Sequence, residues 1–254
     1  MDVNGEQRLP MASTTKIMTT LLVLEKGNLN QLVTIREDAI KEVIDNQAST
    51  ANLVVGDQIR MLDLLYGLML PSGNDAAIAI ADAMSGSVPA FVEQMNNYAH
   101  KLKLNNTHFI SPNGLTSLLA NGTPNPNHYT TAADLAKLTR YAMQTPLFEQ
   151  IVRLQEYELP TTVAHHSYHW VTTNKFLSTY PGATGVKTGY TVEAGYCLVF
   201  AARRNGHSLI GVLLHDGDSD TEADRRFTDA ATVLDWGFQL PLLPPTPSVT
   251  PQSA

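Results

Sequence analysis

The sequence predicts a mixed α/β (α+β) domain: a sheet covered by helices, with a helical subdomain between its strands. Three observations predict it. Residues from about 61 to 143 read mainly as apolar or amphipathic helices. From Tyr157 onward the pattern turns to β, with a hairpin signal at Arg204-Asn205-Gly206. A closing helix over 223–238 follows.

Taken in order, residues 1–9 read as the end of one strand, a tight turn at Asn4-Gly5 and the start of the next. Only three residues precede that turn, so the chain is expected to begin part-way through its first strand. A helix is expected over 13–26. Pro10 precedes it, Ser13, Thr14 and Thr15 offer capping hydroxyls, Ile17, Leu21 and Leu24 form an apolar stripe, and Gly27 ends it. Leu32 to Ile59 mixes short strands with a short helical piece. Met61 to Leu70 is a strongly apolar helix that stops at the loop Pro71-Ser72-Gly73-Asn74. Asp75 is expected to cap a helix over 76–84, and another helix runs from about Pro89 to Leu104. Residues 111–127 are rich in Pro, Asn and Gly and read as a long loop. Thr130 or Thr131 caps a helix ending at Met143. Tyr190 to Ala202 reads as one long strand, and Ser208 to Leu214 as its hairpin partner. The tail from Pro241 is rich in Pro, Ser and Thr and reads as linker.

Composition narrows the function. Hydrophobic residues make up 43% of the 254, enough for a sizeable core, and charged residues only 16%. A net charge of −7 provides no bulk attraction for nucleic acid or anionic lipid. No apolar run reaches the ~18 residues of a membrane span, and no signal peptide is visible at Met1-Asp2-Val3-Asn4. The single cysteine, Cys197, rules out an internal disulfide; its apolar neighbours predict a buried thiol.

Three short motifs carry chemistry: Ser13-Thr14-Thr15-Lys16, Ser72-Gly73-Asn74 and Lys187-Thr188-Gly189. Each is weak alone. An S-x-x-K is expected by chance about once in a chain this long, and a second S-x-N stands at Ser111-Pro112-Asn113. Context strengthens them: the first opens an apolar helix, the second joins two buried helices, and the third leads into a strand. Residues three apart share a helix face, so Lys16 can reach the Ser13 hydroxyl. The helix dipole and burial beside Ile17 and Met18 both disfavour a charged ammonium there. A neutral Lys16 can then act as general base to a Ser13 nucleophile. Ser72 can relay a proton to a leaving amine, and Asn74 can bond a substrate amide. Lys187 and Thr188 suit a free carboxylate. Gly189 allows close backbone approach, and the N–H groups of Tyr190 and Ser13 can form an oxyanion hole. Each motif equally fits a plain structural role: a helix cap, a helix-joining turn and the start of a strand.

With these residues the sequence resembles the low-molecular-mass penicillin-binding proteins of the D-alanyl-D-alanine carboxypeptidase family. The resemblance extends through Leu9 to Met18, Leu70 to Ala77, Phe109 to Leu115, Thr130 to Ala136, Thr173 to Leu177, Gly185 to Thr191, Glu193 to Tyr196 and Asp235 to Phe238. It covers residues 1–238. It implies a β-lactamase/transpeptidase-like fold with a five-stranded antiparallel sheet, over a catalytic domain at 1–240 and a tail at 241–254. It implies a serine carboxypeptidase that trims the terminal D-alanine from peptidoglycan stem peptides, is inhibited by β-lactam antibiotics, works outside the cytoplasm and needs no metal or organic cofactor. Family members carry a signal peptide and a first helix and strand before the turn at Asn4-Gly5, so a truncated N-terminus is expected.

Four rival readings remain. A transpeptidase shares the acyl-enzyme and differs only in its acceptor. A class A β-lactamase would require a glutamate followed by Leu-Asn before the third motif, and no E-x-x-L-N occurs. An inactive wall-binding module would be expected to carry a damaged motif, and all three are intact. A metal hydrolase would rest on His165-His166-Ser167-Tyr168-His169, which contains no acidic residue.

Overall fold

The computed structural model describes residues 1–46 and 48–241; the Pro/Ser/Thr-rich tail beyond 241 lies outside the described residues. After a 3₁₀ turn at Ala12–Thr15 come α1 (Lys16–Lys26), β1 (Leu32–Thr34), α2 (Glu37–Asn46), β2 (Gln58–Arg60), α3 (Met61–Met69), α4 (Asn74–Ser85) and α5 (Val88–Lys101). Then follow α6 (Ala132–Ala142), α7 (Pro146–Arg153), β3 (Glu156–Leu159), β4 (Tyr168–Val171), α8 (Phe176–Thr179), β5 (Ala183–Thr191), β6 (Gly195–Arg204), β7 (His207–Leu213) and α9 (Arg225–Gln239).

The main sheet is antiparallel, in the order β5-β6-β7. It has three strands among the described residues, not five. β6 is buried on both faces, which explains its unbroken apolar sequence. Leu198, Phe200 and Ala202 face α8 and α9, where they meet Phe176, Phe227, Ala230 and Leu234. Val199 and Ala201 face the helical body. Helix α1 is central to that body. Its residues from Lys16 to Val23 are all buried, and it packs against α3, α4, α5, α6 and α7. Each fully buried Leu or Ile here contributes about 1.5–3 kcal/mol. No single helix among the described residues is long and apolar enough to cross a membrane. Cys197 is fully buried, and burial pushes its thiol up to about 11.

Several expectations are corrected. Residues 1–9 form a turn rather than a strand pair, with Gln7 N–H on Asn4 O at 2.9 Å. Leu9 instead pairs with Thr130 through bonds of 2.9 and 3.0 Å. Pro10, which lacks an N–H, follows directly and limits the ladder. The stretch Tyr190–Ala202 is two strands. The chain reverses at Val192-Glu193-Ala194, and Gly195 takes φ 60° where a Cβ would lie 2.6 Å from Gly217 O. Helices α7 and α8 were not anticipated from the sequence. The hydroxyls of Thr14 and Thr15 do not cap α1; they donate backward to Met11 O and Ala12 O. The capping of α6 by Thr131 does match, its hydroxyl accepting from Asp134 N–H at 3.1 Å.

Asp75 is not a cap either. It lies inside the first turn of α4, fully buried. Its carboxylate accepts from Thr50 Oγ1 (2.6 Å), Ala51 N–H (2.8 Å) and Leu53 N–H (3.1 Å), fastening the 50–53 segment to the helix. Asp75→Asn turns one acceptor into a donor facing those N–H groups. The urea unfolding free energy should fall by about 2–4 kcal/mol. An unchanged midpoint would show that this carboxylate does not hold the segment.

Candidate active site

The site begins with the 3₁₀ turn that leads into α1. Ser13, 9% exposed, lies in that turn, and Lys16 opens the helix fully buried. The i to i+3 spacing stacks the two side chains, and Lys16 Nζ lies 2.8 Å from Ser13 Oγ. Two further acceptors complete its surroundings: Asn74 Oδ1 at 2.8 Å and the Asn113 carbonyl at 2.9 Å. Burial holds the Lys16 pKa well below its ordinary value, the nearby Lys187 lowers it further, and Asp75 opposes them. A neutral amine has two hydrogens and one lone pair. Asn74 and Asn113 can take the two hydrogens, leaving the lone pair directed at the Ser13 hydroxyl. That arrangement can deprotonate the serine as it attacks.

The second motif meets this pair through Asn74 rather than Ser72. Ser72 is buried at φ 64°, and its carbonyl accepts from Ser49 Oγ at 2.8 Å. Asn74, expected to bond a substrate amide, is turned inward and fully buried. Its Oδ1 accepts from Lys16, and its Nδ2 donates to Ser49 O at 2.8 Å. The reason is its position as first residue of α4, whose start is pressed against residues 49–53.

The third motif lies on β5, at the edge of the sheet beside the Ala12–Thr15 turn. A Cβ on Gly189 would lie 3.1 Å from Ser13 N and 3.2 Å from Ala12 Cβ. The glycine therefore admits the Ala12–Thr15 turn, and Tyr190 follows it on the strand. Tyr190 is half-exposed and stacks on Tyr196 with centroids 4.4 Å apart. Lys187 is buried, with Nζ on Thr188 O at 3.0 Å. Burial and the charge of Arg226 push it down from its ordinary 10.5 to about 7. Thr188 Oγ1 lies 2.7 Å from Thr173 Oγ1.

Two contributors were missed in the sequence. The Ser111-Pro112-Asn113 segment, part of the family resemblance but given no role in the site, supplies the Asn113 carbonyl to Lys16 and the Pro112 carbonyl to Thr19 Oγ1 at 2.6 Å. The Asn-Gly turn signal at 113–114 was the available clue. Arg226, from α9, donates to Gly189 O at 3.2 Å and lies over the Tyr196 ring, and its buried Nε has no hydrogen-bond partner among the described residues. No local pattern marked it. The histidine cluster is turned elsewhere: His166 bonds Asp57 at 2.9 Å and His169 meets Glu156 at 3.3 Å. Among the described residues no group of three or more His, Cys, Asp or Glu is placed to hold a metal ion.

The family described as D-alanyl-D-alanine carboxypeptidase matches residues 1–218. A D-alanyl-D-alanine carboxypeptidase of Streptomyces sp. (strain K15) is 42% identical over 248 residues, covering 93% of this chain and 81% of its own length. The carboxypeptidase DacF of Bacillus subtilis (strain 168) is 33% identical over 242 residues, and the match spans 57% of that relative. The crystal structure of the Streptomyces K15 DD-transpeptidase matches with a TM-score of 0.85 at 39% identity, over 94% of this chain and 92% of that one. These likenesses define a class, the serine peptidases of the penicillin-binding fold. The chain belongs to the D-alanyl-D-alanine carboxypeptidase family.

A buried lysine has a direct consequence for stability. Lys187 has a folded pKa of about 7 against an ordinary 10.5, so between those values the unfolded chain binds more protons. Stability should therefore rise with pH from 7 to 10 and be lost as pH falls through that window. Lys16 acts in the same direction. Urea midpoints across the window should climb, and Lys187→Met should flatten the climb. A slope identical in the variant would assign it to other groups.

Proposed function

We propose that the chain is a D-Ala-D-Ala carboxypeptidase that works through an ester on Ser13, with Lys16 as its base. The observation that carries the reading is the buried Lys16–Ser13 pair, 2.8 Å apart, with the other lysine contacts taken by Asn74 and Asn113.

The reaction follows from that arrangement. Ser13 Oγ attacks the carbonyl carbon of the penultimate D-alanine, and its proton passes to Lys16 Nζ. The N–H groups of Ser13 and of Tyr190, the residue after Gly189, hold the oxyanion. The C–N bond breaks as the departing nitrogen takes a proton from Lys16; the relay is assigned to Ser72, although Asn74 is the member of its motif that bonds Lys16 in the resting site. Free D-alanine leaves, and Ser13 carries the acyl group. Water, deprotonated by Lys16, then cleaves the ester. The terminal carboxylate is read by Thr188 and by the cations Lys187 and Arg226. A bound carboxylate favours the charged form of Lys187, offsetting the burial that lowers it. β-Lactams acylate the same serine. Asn74 serves as an anchor for Lys16. The substrate, peptidoglycan, places the reaction outside the cytoplasmic membrane.

The likeness to a DD-transpeptidase favours a second acceptor. An amine entering where D-alanine left would take the acyl group in place of water, with the same residues.

Incubation with a diacylated Lys-D-Ala-D-Ala peptide should release free D-alanine, and an added amine acceptor should divert part of the acyl group to a transfer product. A fluorescent penicillin should label Ser13, as read by peptide mapping; an adduct elsewhere would end the assignment. Lys16→Ala should slow acylation by about 10²–10⁴-fold in protein that still melts cooperatively. Peptides amidated at the C-terminus should react poorly, and equal kcat/KM for acid and amide would remove the role of Lys187, Thr188 and Arg226.

A further inference from the structure

We infer that His128 is a positioning residue for acylation: acting through Thr15, it fixes the peptide group whose N–H supplies the Ser13 half of the oxyanion hole. The inference rests on Ser13 being the nucleophile.

The direction of every bond in this chain follows from donor chemistry. Ile110 N–H can only donate, and it lies 3.1 Å from His128 Nδ1. Nδ1 therefore holds a lone pair, and the ring hydrogen is on Nε2. Nε2 lies 2.7 Å from Thr15 Oγ1 and donates to it. The Thr15 hydroxyl still has its own hydrogen, and the Ala12 carbonyl takes it at 2.7 Å. The imidazole must be neutral for this sequence of bonds. It is buried in the fold, and burial pushes its pKa down to about 3, with His108 adding to the effect.

The carbonyl at the end of the chain is the informative one. Ala12 C=O and Ser13 N–H belong to one planar trans peptide and point in opposite directions. Drawing the oxygen toward Thr15 therefore aims the Ser13 N–H the other way. Ala12 takes φ 46°, a region disfavoured for a residue with a Cβ. Such a conformation persists only where its surroundings over-determine it. Gly114 closes one side, since a Cβ there would lie 1.9 Å from Ala12 O. Gly189 borders Ser13 N on the other. His128 supplies the remaining constraint by orienting the hydroxyl that holds the carbonyl. The histidine is itself set in place by the Phe109 ring and by Thr130, two residues on, which pairs with Leu9.

The test is stopped-flow acylation by a fluorescent penicillin over a concentration series, which separates the dissociation constant from the limiting rate. His128→Asn keeps an acceptor for Ile110 N–H but is too short to reach Thr15. Thr15→Val keeps the volume and removes the hydroxyl. Each should lower the limiting rate about 10- to 100-fold, less than the 10²–10³ of deleting an oxyanion donor, with the dissociation constant unchanged. The double variant should be no slower than the slower single, because both break one chain of bonds. Thr15→Ser should restore the rate, and His128→Gln, whose amide N–H extends further, should restore part of it. Thr15→Val acylating at the wild-type rate, or losses that multiply in the double variant, would overturn the inference. Unfolded protein lowers the amplitude of labelling and not its limiting rate; if His128→Asn fails to fold, the Thr15→Val and Thr15→Ser pair decides alone. Wild-type protein that is not acylated at Ser13 would instead refute the proposed function.

Discussion

An amine enclosed in the core is the constraint to which the rest of this structure answers. Lys16 is fully buried, and a lysine there is tolerable only with every hydrogen placed or the charge given up. Its three partners are 3, 58 and 97 residues away in the chain. The Ala12–Thr15 turn, the start of α4 and the 111–114 segment must therefore converge on one nitrogen. A second amine, Lys187, is buried nearby, and its charge works against a charge on Lys16. The one carboxylate that opposes this, Asp75, is committed to the backbone of the 50–53 segment. The surroundings are thus short of negative charge. Such surroundings favour an anionic group, as the proposed reaction requires.

Close backbone approach is the second constraint. Strand β5 passes so near the Ala12–Thr15 turn that a Cβ at 189 would crowd Ser13 N at 3.1 Å, and the 111–114 segment presses on the same turn so tightly that only glycine fits at 114. Between these walls Ala12 is kept at a positive φ. The turn is consequently a rigid mount for Ser13, with its amide held beside the backbone leading to Tyr190. Preorganisation of this kind places donors where charge will develop without reorganising them during the reaction.

How much was legible varied with the range of the interaction involved. The run from Met61 to Leu70, the cap at Thr131 and the hairpin at Asn205-Gly206 were readable because each is set within a few residues. The break at Val192 to Ala194 was hidden because β6 is apolar on both faces, so no alternation marks where it begins. The expected partner of residues 6–9 was wrong because Thr130, far along the chain, meets Leu9. Asp75 looked like a cap from its place before an apolar run, yet its carboxylate answers N–H groups some 24 residues back. Gly189 was readable as a point of close backbone approach, but the sequence could not show that the Ala12–Thr15 turn is what approaches it.

The sequence by itself determined the Ser13–Lys16 contact, since three-residue spacing at the start of a helix leaves those side chains little choice but to meet. It also determined the helical middle, the β-rich end and the three motifs by which the family resemblance was stated. Only the tertiary structure decided that Asn74 turns onto Lys16, that Asn113 rather than Ser72 completes that cluster, and that Lys187 points inward. Only it brought Arg226 behind Gly189 and His128 beneath Thr15. The reason is one of range. Local geometry follows from rise and turn per residue, whereas these contacts join segments that meet only when the core closes and every buried donor and acceptor must find a partner.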